Sequence, residues 1–165
     1  MIYDPTYPKI DYTKFRANDE WEKFYGDVKE AIPSNAPQPR GKPVVLRIYI
    51  DSDHAGDQLT RRSRTGFIQM VNMATISWHS KKQGSIEGAT FGSEFVAMKT
   101  AVEANRAMRY KLRMMGVSID RETYMYCDNM SVVNNTTSPE SMLKNKSNSS
   151  AYHAVREAVL WVRFL

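Results

Sequence analysis

The 165-residue sequence predicts an α/β domain on a mixed sheet, a three-strand antiparallel meander plus a parallel fourth strand, with flanking helices. Three observations predict it. Runs of β-branched and aromatic residues, bounded by turn residues, recur at 44–51, 64–71 and 74–80 with short links between them. A long stretch with apolar residues at helical spacing follows at 90–115. A fourth strand-like run then ends, as the first does, in an aspartate.

The elements follow in order. Residues 1–43 hold six of the seven prolines: Pro5, Pro8, Pro33, Pro37, Pro39 and Pro43. Between them, residues 18–32 (NDEWEKFYGDVKEAI) predict one short helix. Asn18 suits its cap, Glu20 and Glu22 suit its first turn, and Trp21, Phe24, Tyr25, Val28 and Ile32 give an apolar face. PSNAPQPRGKP then reads as an extended linker. Residues 1–43 are thus expected to be a connector or arm, and 44–165 the domain.

VVLRIYID (44–51) is the first strand and ends at an Asp/Gly-rich turn. RTGFIQMV (64–71) and ATISWHS (74–80) complete the meander. In the helix over 90–115, Phe91, Phe95, Met98 and Val102 step by four, three and four. Met108, Leu112 and Met115 continue that face, and Gly116 is a natural stop. ETYMYCD (122–128) is the fourth strand, NMSVVNN (129–135) a short helix, and 136–150 a polar, basic loop. AYHAVREAVLWVRFL (151–165) is expected to close the chain as a helix. A strand–helix–strand crossover requires the fourth strand to lie parallel to a strand of the meander.

The net charge of +5 favours an anionic partner, nucleic acid first, although many soluble domains carry as much. The single cysteine, Cys127, excludes a disulfide framework and argues against a Cys-based zinc site. It fits an intracellular, reducing setting. No apolar run reaches the ~18 residues of a membrane span.

Asp51 and Asp128 each end a strand. If those strands are parallel neighbours, both acids reach the same sheet edge, and Glu94, in the first turn of the long helix, can face it. Three converging carboxylates repel one another unless cations hold them. Hard divalent ions favour such oxygen ligands, and two of them about 4 Å apart can cleave a phosphodiester. Acids at strand ends and helix starts also serve as caps and turn formers, so both readings stand on spacing alone.

DSDHAGDQLTRRSRTGFI, ISWHSKKQ, GSEFVAMKTAVEA, YCDNMSVVNN and YHAVRE occur in collinear order between about 44 and 157. Together they resemble the ribonuclease H domain of copia-type LTR retrotransposon polyproteins. The opening segment is similar to the stretch that joins reverse transcriptase to that domain. The resemblance implies a ribonuclease H-like fold and cleavage of the RNA strand of RNA/DNA hybrids, with reverse transcriptase as a neighbour in the parent polyprotein. It implies Asp51, Glu94 and Asp128 as catalytic and metal-binding acids, with two Mg²⁺ ions, or Mn²⁺ in their place.

The sequence departs from the family at His54, where the family has Trp, and at Gly92 and Phe95 in the E-A-E-Y motif. The family's final strand and helix, and the late A-D-x-L-T-K motif that carries a fourth acid, are expected to be missing. Asp53 and Glu157 are the reserve carboxylates. The expected hybrid contacts are Arg61, Arg62, Arg64, Lys81 and Lys82, with Gln83 beside them, and Asn129. Each has a plainer reading: an ion pair of Arg62 or Arg64 with Asp57, an exposed loop, or a helix cap at Asn129. His54 and His153 read as packing residues, and Cys127 as a small core residue. A strand missing from the sheet edge would expose apolar surface to a partner or a second copy. A catalytically impaired remnant that binds nucleic acid or protein is the alternative to the enzyme.

Overall fold

The computed structural model describes residues 30, 32–138, 141 and 149–165. The helix expected over 18–32 lies outside them apart from Glu30 and Ile32, as does most of the loop expected over 136–150.

The central sheet has five strands. They are β2 (Leu46–Asp53), β3 (Arg64–Val71), β4 (Ala74–Lys82), β6 (Thr123–Cys127) and β7 (Val162–Phe164), in the order β4-β3-β2-β6-β7. The meander is as expected: β2 pairs antiparallel with β3, and β3 with β4. β6 lies parallel to β2, with Ile50 opposite Cys127. β1 (Arg40–Val44) and β5 (Val117–Ile119) form a separate two-stranded parallel sheet, which the sequence did not predict. Three residues at β5 are too short for a periodic signal. The helices are α1 (Thr90–Met114), α2 (Met130–Thr137) and α3 (Ser149–Glu157).

Alternation explains the sheet. Leu46, Ile48 and Ile50 of β2 point into the core, while Arg47, Tyr49 and Asp51 point away. Across from them, Phe95, Met98 and Val102 of α1 are at most 1% exposed. Each such side chain contributes ~1.5–3 kcal/mol by leaving water. The buried stripe of α1 then departs from the expected one. It continues through Asn105 and Arg109, whereas Met115 is exposed. Polar partners explain the change. Thr123 Oγ1 donates to Asn105 Oδ1 at 3.0 Å, and Arg109 donates to Thr123 Oγ1 at 3.1 Å and to the Arg121 carbonyl at 3.0 Å. The Arg109 guanidinium also takes both oxygens of Glu30 at 2.8 Å.

The C-terminal segment corrects two expectations. It is not one helix: α3 stops at Glu157, and a 3-10 turn over Ala158–Leu160 leads into β7. The final strand expected to be missing is therefore present. Val162 and Phe164 are buried and Arg163 faces outward, a period of two that three residues are too few to announce. β7 runs parallel to β6, pairing Thr123 with Val162 and Met125 with Phe164. The sheet edge on which a dimer was expected is thus covered by β7. No helix follows β7 among the described residues.

Candidate carboxylate site

Asp51 lies near the end of β2, and its Oδ1 accepts the Ser52 N–H at 2.8 Å. Asp128 follows β6, and the parallel pairing of Ile50 with Cys127 brings the two acids to the same edge. Glu94 is the fifth residue of α1, one step beyond the first turn in which it was expected, and is only 4% exposed. Its Oε2 is buried with no hydrogen-bond partner. Burial, then the charges of Asp128 and Asp51, push the Glu94 carboxyl up to about 7. Glu94 thus feels the charges of both Asp128 and Asp51, but the group whose ligand atoms all lie within 4.8 Å of one another holds Glu94 and Asp128 with Cys127, and not Asp51.

The start of α1 is held by residues whose part the sequence did not reveal. Gln83, expected in an exposed loop, is buried. Its amide donates to the Ser93 carbonyl at 2.8 Å and to Thr65 Oγ1 at 3.0 Å. His54 Nδ1 lies 3.2 Å from Ser93 Oγ and 3.5 Å from Ser63 Oγ. Both residues tie the β2–β3–β4 hairpins to the turn that carries Glu94. The small residues Ser63, Thr65 and Ser93 were the only available signal.

Cys127 is buried at the end of β6. Its sulfur and one oxygen each of Glu94 and Asp128 all lie within 4.8 Å of one another. Burial, with the neighbouring carboxylates, pushes its thiol up to about 11, against a backbone hydrogen bond from Asn129.

The other expected contacts fall in two groups. Arg62, Arg64 and Lys82 line a cavity of about 220 Å³ together with Asp53, Gly56 and Asp57. The partner of Asp57 is Lys82, not an arginine, and that contact holds the Asp57 carboxyl well below the usual range. Arg61 is exposed at the bend, with φ of 54°. Lys81 is exposed and alternates to the other face of β4. Asn129 caps α2, its side-chain oxygen accepting from Ser131 N at 3.1 Å and Val132 N at 3.3 Å.

Neither reserve carboxylate joins the three. The Asp53 carboxylate sits against Gly56, where a Cβ would fall 1.9 Å from its Oδ2. Glu157 lines a cavity of about 740 Å³ with Arg106, Tyr110 and Trp161. Arg106 is roughly 18 Å along α1 from Glu94 at 1.5 Å per residue.

A divalent cation fits these residues. The donors are hard oxygens, one of them buried without a hydrogen bond, and a cation would offset both the burial and the neighbouring charges that raise Glu94.

The fold is that of ribonuclease H. Over 73% of this chain and 83% of the other, it matches an LC11-RNase H1 solved in complex with an RNA/DNA hybrid, with a TM-score of 0.54 and 18% identity. An RNase H1 from the halophilic archaeon Halobacterium salinarum matches 73% of the chain and 84% of its own, with a TM-score of 0.52 and 12% identity. The sequence relatives include retrovirus-related Pol polyproteins of copia-type transposons. One, from transposon TNT 1-94 of Nicotiana tabacum, is 29% identical over 72% of this chain and 9% of its own length. Another, from transposon RE1 of Arabidopsis thaliana, is 27% identical over 73% of this chain and 8% of its own length. The chain thus spans less than a tenth of these relatives. No family model matches it. Fold and relatives together support a nuclease-type domain. No helix among the described residues is long and apolar enough to cross a membrane.

Proposed function

We propose that this chain is a metal-dependent endonuclease domain that cleaves the RNA strand of RNA/DNA hybrids during retrotransposon reverse transcription. In the parent polyprotein it would act beside reverse transcriptase, with residues 1–43 as the connector. The observation that carries the reading is the approach of Asp51 and Asp128 to the buried Glu94, whose carboxyl they help push up to about 7.

Asp51, Glu94 and Asp128 are the residues that would hold the cations, Mg²⁺ by preference for its oxygen ligands, or Mn²⁺. Bound there, such ions supply an activated water and stabilise the leaving oxygen of a phosphodiester. Glu94 releases its proton to solvent as it becomes a ligand, so cation binding weakens as the pH falls below about 7. Gln83 and His54 keep the first turn of α1 in place. Arg61, Arg62, Arg64 and Lys81 supply cationic groups for phosphates on the hairpin side, with Lys82 shared with Asp57. Asn129 stands next to Asp128, and its amide nitrogen is the donor left for a sugar 2′-hydroxyl once its oxygen caps α2.

The test is cleavage of a labelled RNA/DNA hybrid with Mg²⁺. Cleavage that falls about 100-fold or more in Asp51→Asn supports the enzyme. Salt-sensitive binding of the hybrid without cleavage would replace it with the binding remnant. That second reading draws on the close group among the described residues holding only two acids, Glu94 and Asp128, beside Cys127.

A further inference from the structure

We propose that Cys127 turns the carboxylate cluster into a mixed oxygen–sulfur site that captures thiophilic divalent ions, Cd²⁺ and Zn²⁺, with Glu94 and Asp128 as co-ligands. The inference rests on the carboxylate reading above and adds a ligand to it.

Three facts carry it. The Cys127 sulfur and an oxygen from each acid lie within 4.8 Å of one another, a span that modest side-chain rotation closes around one ion. Cys127 and Glu94 are 7% and 4% exposed, so both donors stand largely shielded from water. Independently of the sulfur, Glu94 Oε2 is buried without a hydrogen bond, an unsatisfied acceptor on the same carboxylate that lies within 4.8 Å of the other two ligand atoms.

The chemistry then divides by metal. A hard ion such as Mg²⁺ takes oxygen and leaves sulfur alone. A borderline or soft ion gains a bond of about 2.3 Å to thiolate sulfur. On capture the ion replaces the thiol proton, which leaves to solvent; nothing is oxidised or reduced. Cys127 is thereby a determinant of metal selectivity. It makes thiophilic ions competitors for the acids that would hold Mg²⁺.

Cys127 is the only cysteine in the chain, so any sulfur-to-metal absorption reports on it alone. The experiment titrates the full chain with Cd²⁺ and follows the ultraviolet sulfur-to-cadmium charge-transfer band. The variants are Cys127→Ser, Glu94→Gln and Asp128→Asn, each checked for folding by circular dichroism. Cys127→Ala replaces the serine variant should the hydroxyl unfold it. The expected result is a one-to-one band in the parent chain, none without the sulfur, and at least tenfold weaker Cd²⁺ binding in each acid variant. No band in the parent chain overturns the proposal. So does a band of unchanged affinity in both acid variants, which marks a lone thiol. Mn²⁺ binding, read by electron paramagnetic resonance, separates the two levels. Mn²⁺ bound without a cadmium band removes only the sulfur ligand, and neither signal removes the carboxylate site as well.

Discussion

At the scale of single residues, Glu94 carries the sharpest consequence. Its folded carboxyl sits at about 7 against an ordinary 4.5. The folded chain therefore holds a proton that the unfolded chain releases between those values. The stabilisation this gives is complete below about 4.5 and is lost as the pH rises through 7, by about 3 kcal/mol. We expect metal-free protein to lose thermal stability across that window. Glu94→Gln should flatten the profile, and a divalent cation should restore stability at the alkaline end. Thermal melts at several pH values with and without Mg²⁺ check this. The arrival of Asp51 and Asp128 at one sheet edge was legible in the sequence because two strand-like runs close on an acid and the crossover makes those strands parallel. The Lys82–Asp57 pair was not, since sequence cannot tell which of several nearby cations the register of β3 and β4 presents.

Among the elements, the start of α1 is the joint on which the site depends. Gln83 bridges the hairpin and the helix through Thr65 and the Ser93 carbonyl. Removing its amide leaves buried acceptors unpaired, a cost of ~1–3 kcal/mol. Gln83→Ala should therefore lower the midpoint of denaturant unfolding. It should also reduce hybrid cleavage more than an exposed-loop change would, because the Glu94 turn loses its tether. Unchanged stability in urea would refute that role. The meander, the long helix and the parallel crossover could be read from periodicity, which is strong over eight or more residues. β5, β7 and the polar half of the α1 stripe could not. Three-residue strands carry no period, and Asn105 and Arg109 are buried only because Thr123, Arg121 and Glu30 receive them.

Across the whole molecule, Glu30 ties the chain ahead of β1 to α1. It takes Arg109 at 2.8 Å and Arg113 at 2.5 Å. Burial alone would raise its carboxyl, but the hydrogen bonds and charges of the two arginines outweigh that and hold it down to about 2. This depressed acid stabilises the fold above about 4.5, and the contribution disappears as the pH falls towards 2. After discounting for solvent screening it amounts to about 1–3 kcal/mol. Glu30→Gln should remove it, leaving a lower melting temperature at pH 7 and a smaller loss on acidification. The net charge of +5 adds an expectation for the intact chain: hybrid affinity should fall steeply with salt, as measured by titration at two ionic strengths.

The parallel pairing of β2 with β6 also bears on the order in which the molecule comes together. β2, β3 and β4 zip through neighbouring hairpins, whereas Asp128 joins Asp51 only after the chain has crossed α1 and returned. Loop closure over that distance is slow compared with hairpin formation. A growing chain would therefore acquire its sheet scaffold before its cluster of acids. The carboxylate site would be among the last features to mature, and an incompletely folded copy would lack it.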